Sequence, residues 1–194
     1  MTNRKYNVTL SHEARFIWYR VAKVGTRTIL AHLRAGPFNL DVEQAFGVKV
    51  SPDIATEYFS FAFVRNPWER LVSCYKNKIE HQQAPHMIEK LHGSTNFEDF
   101  VKFVTQQDLT QCDPHFRLQS ELIDLNTVNF IGRHERFAND LLEIFSILNI
   151  QHEKLFEKNT SGAGEELNEF YTPNLIDKVA KAYKKDIQCF GYEY

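Results

Sequence analysis

The sequence predicts one α/β domain over residues 1–194 with a central parallel sheet. Short apolar runs alternate with amphipathic stretches along the chain, which is the pattern of parallel α/β folds. A length of 194 residues and an apolar content of 43% suit a soluble domain with a sizeable core. The chain shows neither an internal repeat nor a linker, so we expect a single domain.

The first strand and helix are expected near the N-terminus. The strand covers Phe16–Ala22, and a loop that contains glycine connects it to a helix over Thr28–Arg34. Gly36 and Pro37 are expected to end that helix, because glycine favours a helix C-terminus and proline cannot continue one. Residues 38–58 have no clear period and are compatible with a short helix and an irregular loop.

The second strand is an apolar run over Phe59–Val64. A helix is expected from Pro67 to about Glu80, and its start carries strong local signals. The side-chain oxygen of Asn66 can accept from the first amides of the helix, and proline suits the first helical position. Glu69 can reach back as a capping-box partner. These signals predict a well-defined helix start directly after the strand.

The rest of the chain continues the alternation. Residues 81–95 are polar and rich in histidine, which predicts a loop, and Asn96 is expected to open another helix. A turn is expected over 111–116. The third strand covers Thr127–Ile131, followed by a turn at Gly132 and a strongly amphipathic helix. The last predicted segments are a mobile loop over Lys158–Glu165 and a final helix that begins at Thr172.

The composition argues against several classes of protein. A net charge of −2 provides no broad basic surface for nucleic acid. Three scattered cysteines without a Cys-x-x-Cys pair argue against a disulfide framework or a zinc site and favour a reducing compartment. The N-terminus resembles no signal peptide, and no stretch reaches the roughly 18 apolar residues of a membrane span. We therefore expect a cytoplasmic protein without an integral membrane segment.

Two segments that follow the first two strands carry residues suited to phosphate. They are Lys23–Thr28 and Arg65–Ser73. A helix start offers unpaired N–H groups and the positive end of the helix dipole, which favours an anion. In the first segment Gly25 permits close approach of the backbone, while Lys23 adds a positive charge and two threonines add hydroxyl groups. Two such segments on neighbouring strands indicate a ligand with two separated phosphate groups.

Together these segments resemble the nucleotide-binding signatures of the sulfotransferases that use 3′-phosphoadenosine 5′-phosphosulfate (PAPS). In that family a Lys-x-Gly-Thr-type loop binds the 5′-phosphosulfate, and an Arg-(Asp/Asn)-Pro-x-x-Arg-x-x-Ser run binds the 3′-phosphate. Phe63–Tyr75 is similar, almost position for position, to the run typical of the carbohydrate sulfotransferase branch. Ala22 departs from the family, which usually has proline before the lysine. Weaker similarities lie at Asp113–Phe116, Phe130–Glu135, Lys158–Ser161 and Tyr183–Tyr192.

The resemblance implies a P-loop-like three-layer α/β/α fold and roles for individual residues. Lys23 is expected to neutralise charge on the bridging oxygen as the sulfuryl group leaves. Arg65 and Ser73 are expected to bind the 3′-phosphate. Arg70 is expected to be a structural salt-bridge partner. The residues expected to bind the nucleotide are Lys23, Val24, Gly25, Thr26, Arg27, Thr28, Arg65 and Ser73.

Transfer to a hydroxyl group needs a base that takes its proton. His115 is the first candidate, because it follows Asp113 and Pro114 in a turn and matches a segment of the family. His81, His86 and nearby carboxylates remain alternatives. Further candidates beside the nucleotide are Trp68, which can instead fill the core, and Arg133 and Lys158.

The favoured function is enzymatic: transfer of the sulfuryl group of PAPS to a hydroxyl of a carbohydrate or another small polar acceptor, without a metal. One alternative is a nucleotide or small-molecule kinase of similar fold. The absence of a Gly-Lys-Ser/Thr sequence counts against it. The other alternative is a nucleotide-binding module without catalysis, against which the intact Lys23 counts. The sequence names neither the acceptor nor the oligomeric state.

Overall fold

The central sheet is mixed, with parallel strands on one side and antiparallel strands on the other. A computed structural model describes residues 4–35, 41–151 and 167–194. Within these residues five strands form one sheet: β1 (Tyr6–Ser11), β2 (Phe16–Tyr19), β3 (Glu43–Val48), β4 (Phe59–Val64) and β5 (Phe130–Arg133). Their order is β3-β1-β2-β4-β5. The prediction of an α/β protein is therefore confirmed, and the prediction of a wholly parallel sheet is wrong.

The helices follow the strands in the alternating order that the sequence predicts. In the described residues the α-helices are α1 (Thr26–Ala35), α2 (Pro52–Glu57), α3 (Pro67–Tyr75), α4 (Pro85–Lys90), α5 (Phe97–Thr105), α6 (Phe137–Ile147), α7 (Leu167–Phe170), α8 (Pro173–Ala182) and α9 (Lys184–Phe190). A π-helical segment covers Lys76–Glu80, and short 3₁₀ turns cover Gln119–Glu121 and His134–Arg136. None of the helices in this described part has the length and apolar character that a membrane crossing requires.

The chain divides into two compact units. The first takes its described residues from Met1–Val64 and Gln119–Lys158, and the second from Arg65–Leu118 and Asn159–Tyr194. The first unit therefore contains the whole sheet with α1, α2 and α6. The second unit contains the remaining helices.

The parallel half of the sheet contains the three strands that the sequence predicts. β4 pairs in parallel with β2 and with β5, with Tyr19 opposite Ala62 and Val64 opposite Arg133. β2 is the first strand that the sequence predicts, and it ends at Tyr19 rather than at Ala22. The third strand is shifted toward the C-terminus and includes Gly132, where the sequence analysis expected a turn. A Cβ atom at Gly132 would lie 2.7 Å from the ring of Phe63, so the glycine lets this ring pack against β5.

The antiparallel half was not predicted from the sequence. β1 pairs with β2 and β3, and all three lie in the first unit. Tyr6 and Val8 of β1 are buried, and the ring of Tyr6 meets that of Tyr19 edge-on at 5.2 Å. The expectation of a short helix and an irregular loop over 38–58 is corrected in part: a short helix is present as α2, but β3 occupies Glu43–Val48.

The second unit has a core of apolar side chains from its helices. The helix predicted from Pro67 to Glu80 is continuous, but its last five residues adopt π-helical geometry. The predicted loop over 81–95 contains α4, which has Pro85 in its first turn and buries Met87. α5 confirms the helix expected after Asn96, whose side chain accepts from the amide of Asp99 at 2.8 Å. The final helix begins as predicted after Thr172 but is interrupted at Tyr183, between α8 and α9.

Two predictions fall outside the described residues. They are the helix stop at Gly36 and Pro37 and the loop over Lys158–Glu165.

Candidate functional site

The loop between β2 and α1 contains two residues in the left-handed region of the backbone. Lys23 has φ 72° and Gly25 has φ 83°. Glycine adopts this conformation without penalty, whereas a lysine there is unusual and carries local strain. Lys23 is half-buried and Val24 is fully buried. The loop therefore reverses direction tightly, and it is held by packing as well as by hydrogen bonds.

Hydrogen bonds close this loop against the start of α1. The carbonyl of Gly25 accepts from the amides of Thr28 at 2.9 Å and Ile29 at 3.1 Å. The hydroxyl of Thr26 donates to the carbonyl of Val21 at 2.8 Å, so its proton is used within the loop. The amides that precede Thr28 belong to the helix start, where backbone N–H groups have no acceptor within the helix. This is the arrangement that suits an anion.

Gly25 is required by packing as well as by its backbone conformation. A Cβ atom at this position would lie 2.6 Å from Cε2 of Phe137, the first residue of α6. The sequence predicts that Gly25 permits close approach of an oxyanion. The structure adds a second reason, because the ring of Phe137 occupies the space that a side chain would need. The loop therefore packs against α6, which begins more than 100 positions later in the chain.

The strand ends of the first unit place polar residues at one edge of the sheet. β2, β4 and β5 are parallel, so their carboxyl ends meet at the same edge, where α/β folds bind ligands. The Lys23 loop follows β2, and Arg133 is the last residue of β5. The backbone amide of Arg133 donates to the buried carboxylate of Asp140 at 2.7 Å. Arg65 is the next residue in the chain after the last residue of β4.

The second motif begins α3 in the second unit. Asn66 caps the helix by accepting from the amides of Trp68 at 3.0 Å and Glu69 at 3.5 Å, as predicted. The guanidinium of Arg65 is buried and donates through Nε and Nη2 to one oxygen of Glu69, each at 3.2 Å. Ser73 lies two turns into the same helix and is half-buried. Ser73 therefore lies within α3 and Arg65 two residues before its start, and Glu69 of the same helix holds the Arg65 guanidinium.

Arg70 of α3 is buried and bonds to the backbone of a distant loop. Only 1% of its surface is exposed. Its guanidinium donates to the carbonyl of Pro114 at 2.9 Å and to that of Arg117 at 2.8 Å. Arg70 therefore ties α3 to the loop that contains His115.

The imidazole of His115 contacts a carboxylate. Its Nδ1 lies 2.7 Å from Oδ1 of Asp113, and its backbone amide donates to the same oxygen at 2.8 Å. The hydrogen bond with His115 lowers the pKa of Asp113 to about 2, against the opposing effect of burial. Burial raises the pKa of the neighbouring Cys112 thiol to about 11, so this thiol stays protonated at neutral pH. His115 therefore presents an imidazole that is hydrogen-bonded to an ionised carboxylate.

Other candidates from the sequence are distributed differently. Trp68 fills the core of the second unit and donates through Nε1 to the carbonyl of Ile176 at 3.2 Å. His81, His86 and His92 are exposed, and Arg27 is exposed on the first turn of α1. Lys158 lies outside the described residues. In the described ranges, His, Cys, Asp and Glu side chains form no group of three that could hold a metal ion.

Sequence reasoning missed two residues that this geometry brings forward. From the sequence, Asp113 is expected only to form a turn, and Glu69 only to cap a helix. The Asp-x-His spacing could have indicated the first, because an aspartate two residues before a histidine can bond to its backbone amide in an Asx turn. The second carried a signal too, since Arg65 and Glu69 are separated by one helical turn.

Comparison with known proteins defines the family of this chain. A family model described as the sulfotransferase family matches residues 6–193. The chain therefore belongs to the sulfotransferase family, as the two motifs indicate. No solved structure matches it significantly.

The similar curated proteins are carbohydrate sulfotransferases. Carbohydrate sulfotransferase 10 from Xenopus laevis is 28% identical over 173 aligned positions, which cover 70% of this chain and 48% of that protein. Carbohydrate sulfotransferase 14 from Danio rerio is 25% identical over 227 aligned positions, which cover 96% of this chain and 62% of that protein. The chain thus spans about half to three fifths of the length of these relatives.

Proposed function

We propose that this chain catalyses transfer of the sulfuryl group of PAPS to a hydroxyl group of a carbohydrate. The observation that carries this proposal is the pair of motifs that follow parallel strands, Lys23–Thr28 after β2 and Arg65–Ser73 after β4. The family match over nearly the whole chain supports the chemistry. The names of the curated relatives support a glycan as the acceptor. We expect neither a metal nor nucleic acid to take part.

The Lys23 loop is proposed to bind the 5′-phosphosulfate of the donor. Its helix-start amides supply neutral donors and Lys23 supplies a positive charge, which together suit an anionic group. Preorganised donors stabilise a developing charge without reorganisation, and the packing of Gly25 against Phe137 supplies that rigidity. The loop residues proposed to contact the phosphosulfate are Lys23, Val24, Gly25, Thr26, Arg27 and Thr28.

Arg65 and Ser73 are proposed to bind the 3′-phosphate. A guanidinium bonds to phosphate through a planar fork of N–H donors, and a serine adds one hydroxyl donor. The contact with Glu69 holds two of the Arg65 nitrogens in one orientation, so less side-chain entropy is lost when phosphate binds.

The proposed transfer is an in-line displacement at sulfur. The acceptor oxygen forms a bond to sulfur while the bond from sulfur to the bridging oxygen of PAPS breaks. The electron pair of that bond leaves with adenosine 3′,5′-bisphosphate, and Lys23 stabilises the charge on the leaving oxygen. The acceptor proton passes to the imidazole of His115, so charge and atoms balance.

Several finer predictions belong to the same proposal. We propose a P-loop-like arrangement of three layers in a single domain over residues 1–194. A cytoplasmic location also stays a prediction, and its support is the use of three cysteines without a pairing pattern. Fractionation of cells that produce the full protein would test it.

A transfer assay distinguishes the candidate functions. The protein is incubated with PAPS labelled in the sulfuryl group and with a panel of glycans, and label on the glycan is measured. We expect transfer from PAPS and none of the γ-phosphoryl group from labelled ATP. Transfer from ATP alone would support the kinase. Tight binding of PAPS in calorimetry without transfer to any glycan or small polar acceptor would support a binding module.

A further inference from the structure

The backbone around His115 is held by side chains from three parts of the second unit. Arg70 of α3 donates to the carbonyls of Pro114 and Arg117, on either side of the histidine. The hydroxyl of Tyr183, between α8 and α9, donates to the carbonyl of Phe116 at 2.5 Å. Arg117 itself donates back to Gln111 and Cys112, each at 2.7 Å. Such a loop presents its side chains in a fixed direction.

The imidazole ring is held by a different contact. A carboxylate is an acceptor only, so the nitrogen of His115 that contacts Asp113 must carry a hydrogen. In a neutral imidazole one nitrogen donates and the other accepts. The proton on Nδ1 therefore leaves Nε2 with the free lone pair. About one third of the His115 side chain is exposed, so the ring remains open to a bound molecule.

We propose that Asp113 is a positioning residue that fixes the tautomer and orientation of His115, so that Nε2 is the nitrogen that accepts the proton of the acceptor hydroxyl. This inference rests on the proposed role of His115 as the base. After proton transfer the ring carries a positive charge, and the carboxylate of Asp113 offsets it at 2.7 Å. Nδ1 keeps its hydrogen throughout, and the transferred proton resides on Nε2.

The charged groups around the pair are consistent with an ionised Asp113. Lys78 of the π-helical segment acts on this carboxylate in the same direction as His115, and both lower its pKa. Arg70 and Arg117 lie close enough to influence the adjacent Cys112. Asp113 is therefore an anion at neutral pH, and its hydrogen bond with His115 and the charge of Lys78 both favour that state.

Asp113→Asn is the sharpest test. An asparagine keeps a side-chain oxygen that can accept from the backbone amide and from Nδ1, but it removes the charge and can turn its amide toward the ring. We expect kcat to fall about 10- to 100-fold, less than the roughly 10²–10⁴-fold loss on removing a general base. Affinity for PAPS and KM for the glycan should stay within twofold of wild type.

Asp108→Asn is the matched control. Asp108 also accepts from a backbone amide two residues later, that of Thr110 at 2.9 Å, but it contacts no histidine within the described residues. Its replacement removes the same charge from the same kind of turn. We expect unchanged kcat and KM. If kcat of Asp108→Asn fell as far as that of Asp113→Asn, the effect would come from the loss of any negative charge in this region, and the proposal would be overturned.

A double-mutant cycle separates this inference from the proposed function. If Asp113 acts through His115, then Asp113→Asn should change kcat less than twofold in the His115→Ala background. Equal losses in both backgrounds would show a merely structural role and overturn the inference. Normal kcat in Asp113→Asn beside a strong defect in His115→Ala would also overturn it. Near-normal kcat in His115→Ala would instead remove His115 as the base.

Discussion

Arg65 offers a test of how the donor is recognised. If it binds the 3′-phosphate, Arg65→Ala should weaken PAPS binding by roughly 1.5–3 kcal/mol, the range for a hydrogen bond with a charged group. Adenosine 5′-phosphosulfate lacks that phosphate, so its affinity should hardly change in the variant. Calorimetry with both nucleotides measures the difference directly. Equal affinity of the wild-type protein for the two nucleotides would rule out selection by the 3′-phosphate.

The control for this experiment is Arg15→Ala. Arg15 forms an ion pair with Glu57 at 2.9 Å, but both side chains are largely exposed. An exposed ion pair contributes little to stability, so this variant reports only the general effect of removing one arginine. We expect its affinity for both nucleotides to match that of wild type.

Lys23 is expected to matter more for turnover than for binding. Charge on the leaving oxygen grows in the transition state, so Lys23→Ala should lower kcat strongly and raise the Kd of PAPS less. Lys23→Gly should lose the same turnover without the backbone strain of φ 72°. Steady-state kinetics and calorimetry give the two values. Turnover within a few-fold of wild type in both variants would show that Lys23 does not stabilise the leaving group. The control is Lys49→Ala, because the side chain of Lys49 is exposed.

The two strand–helix joints that carry the proposed phosphate motifs could be predicted, because caps and loop glycines act through local residue types at fixed spacing after a strand. The contacts that hold the backbone around His115 could not be predicted. Arg70 precedes His115 by 45 positions and Tyr183 follows it by 68, and only folding brings them to the same loop. The strain at Lys23 was equally invisible, because no local preference of lysine indicates a positive φ.

The joint between β2 and α1 gives a prediction about stability. Gly25→Ala should destabilise the protein by roughly 1–2 kcal/mol for the left-handed backbone, and by roughly 1–3 kcal/mol more for the clash with Phe137. Gly191→Ala isolates the first effect, since φ is 63° and no atom lies within 4 Å of a new Cβ. Gly132→Ala isolates the second, with Phe63 at 2.7 Å. In denaturant unfolding, Gly25→Ala should lose more free energy of unfolding than the other two variants. A loss no larger than that of Gly191→Ala would mean that the ring of Phe137 moves to make room for the new Cβ.

The parallel strands were predictable and the antiparallel ones were not, for a physical reason. β2 and β4 are buried on both faces and read as continuous apolar runs, which short-range patterns reveal. β1 mixes Asn7, Thr9 and Ser11 with apolar residues, and β3 is a largely exposed edge strand. Their strand geometry comes from pairing with β2 and with each other, which is information that a local window lacks.

The stability of the chain should depend on the correct nucleotide. A ligand at 100 times its dissociation constant stabilises the folded state by about 2.7 kcal/mol. For a protein of this length that corresponds to a rise in Tm of roughly 5–10 °C. We expect PAPS and adenosine 3′,5′-bisphosphate to give such a shift at concentrations where ATP and GTP give none. A larger shift with ATP would favour the kinase.

The order of the sheet also has a consequence for synthesis on the ribosome. β4 is complete at Val64, but its partner β5 is not made until residues 130–133, after the whole segment Arg65–Leu118 of the second unit. At translation rates of about 5–20 residues per second, the nascent sheet waits several seconds with one side of β4 unpaired. An unpaired edge beside Phe61 and Phe63 is a template for pairing with another chain. The nascent protein is therefore expected to be most prone to aggregate while α3, α4 and α5 are being translated.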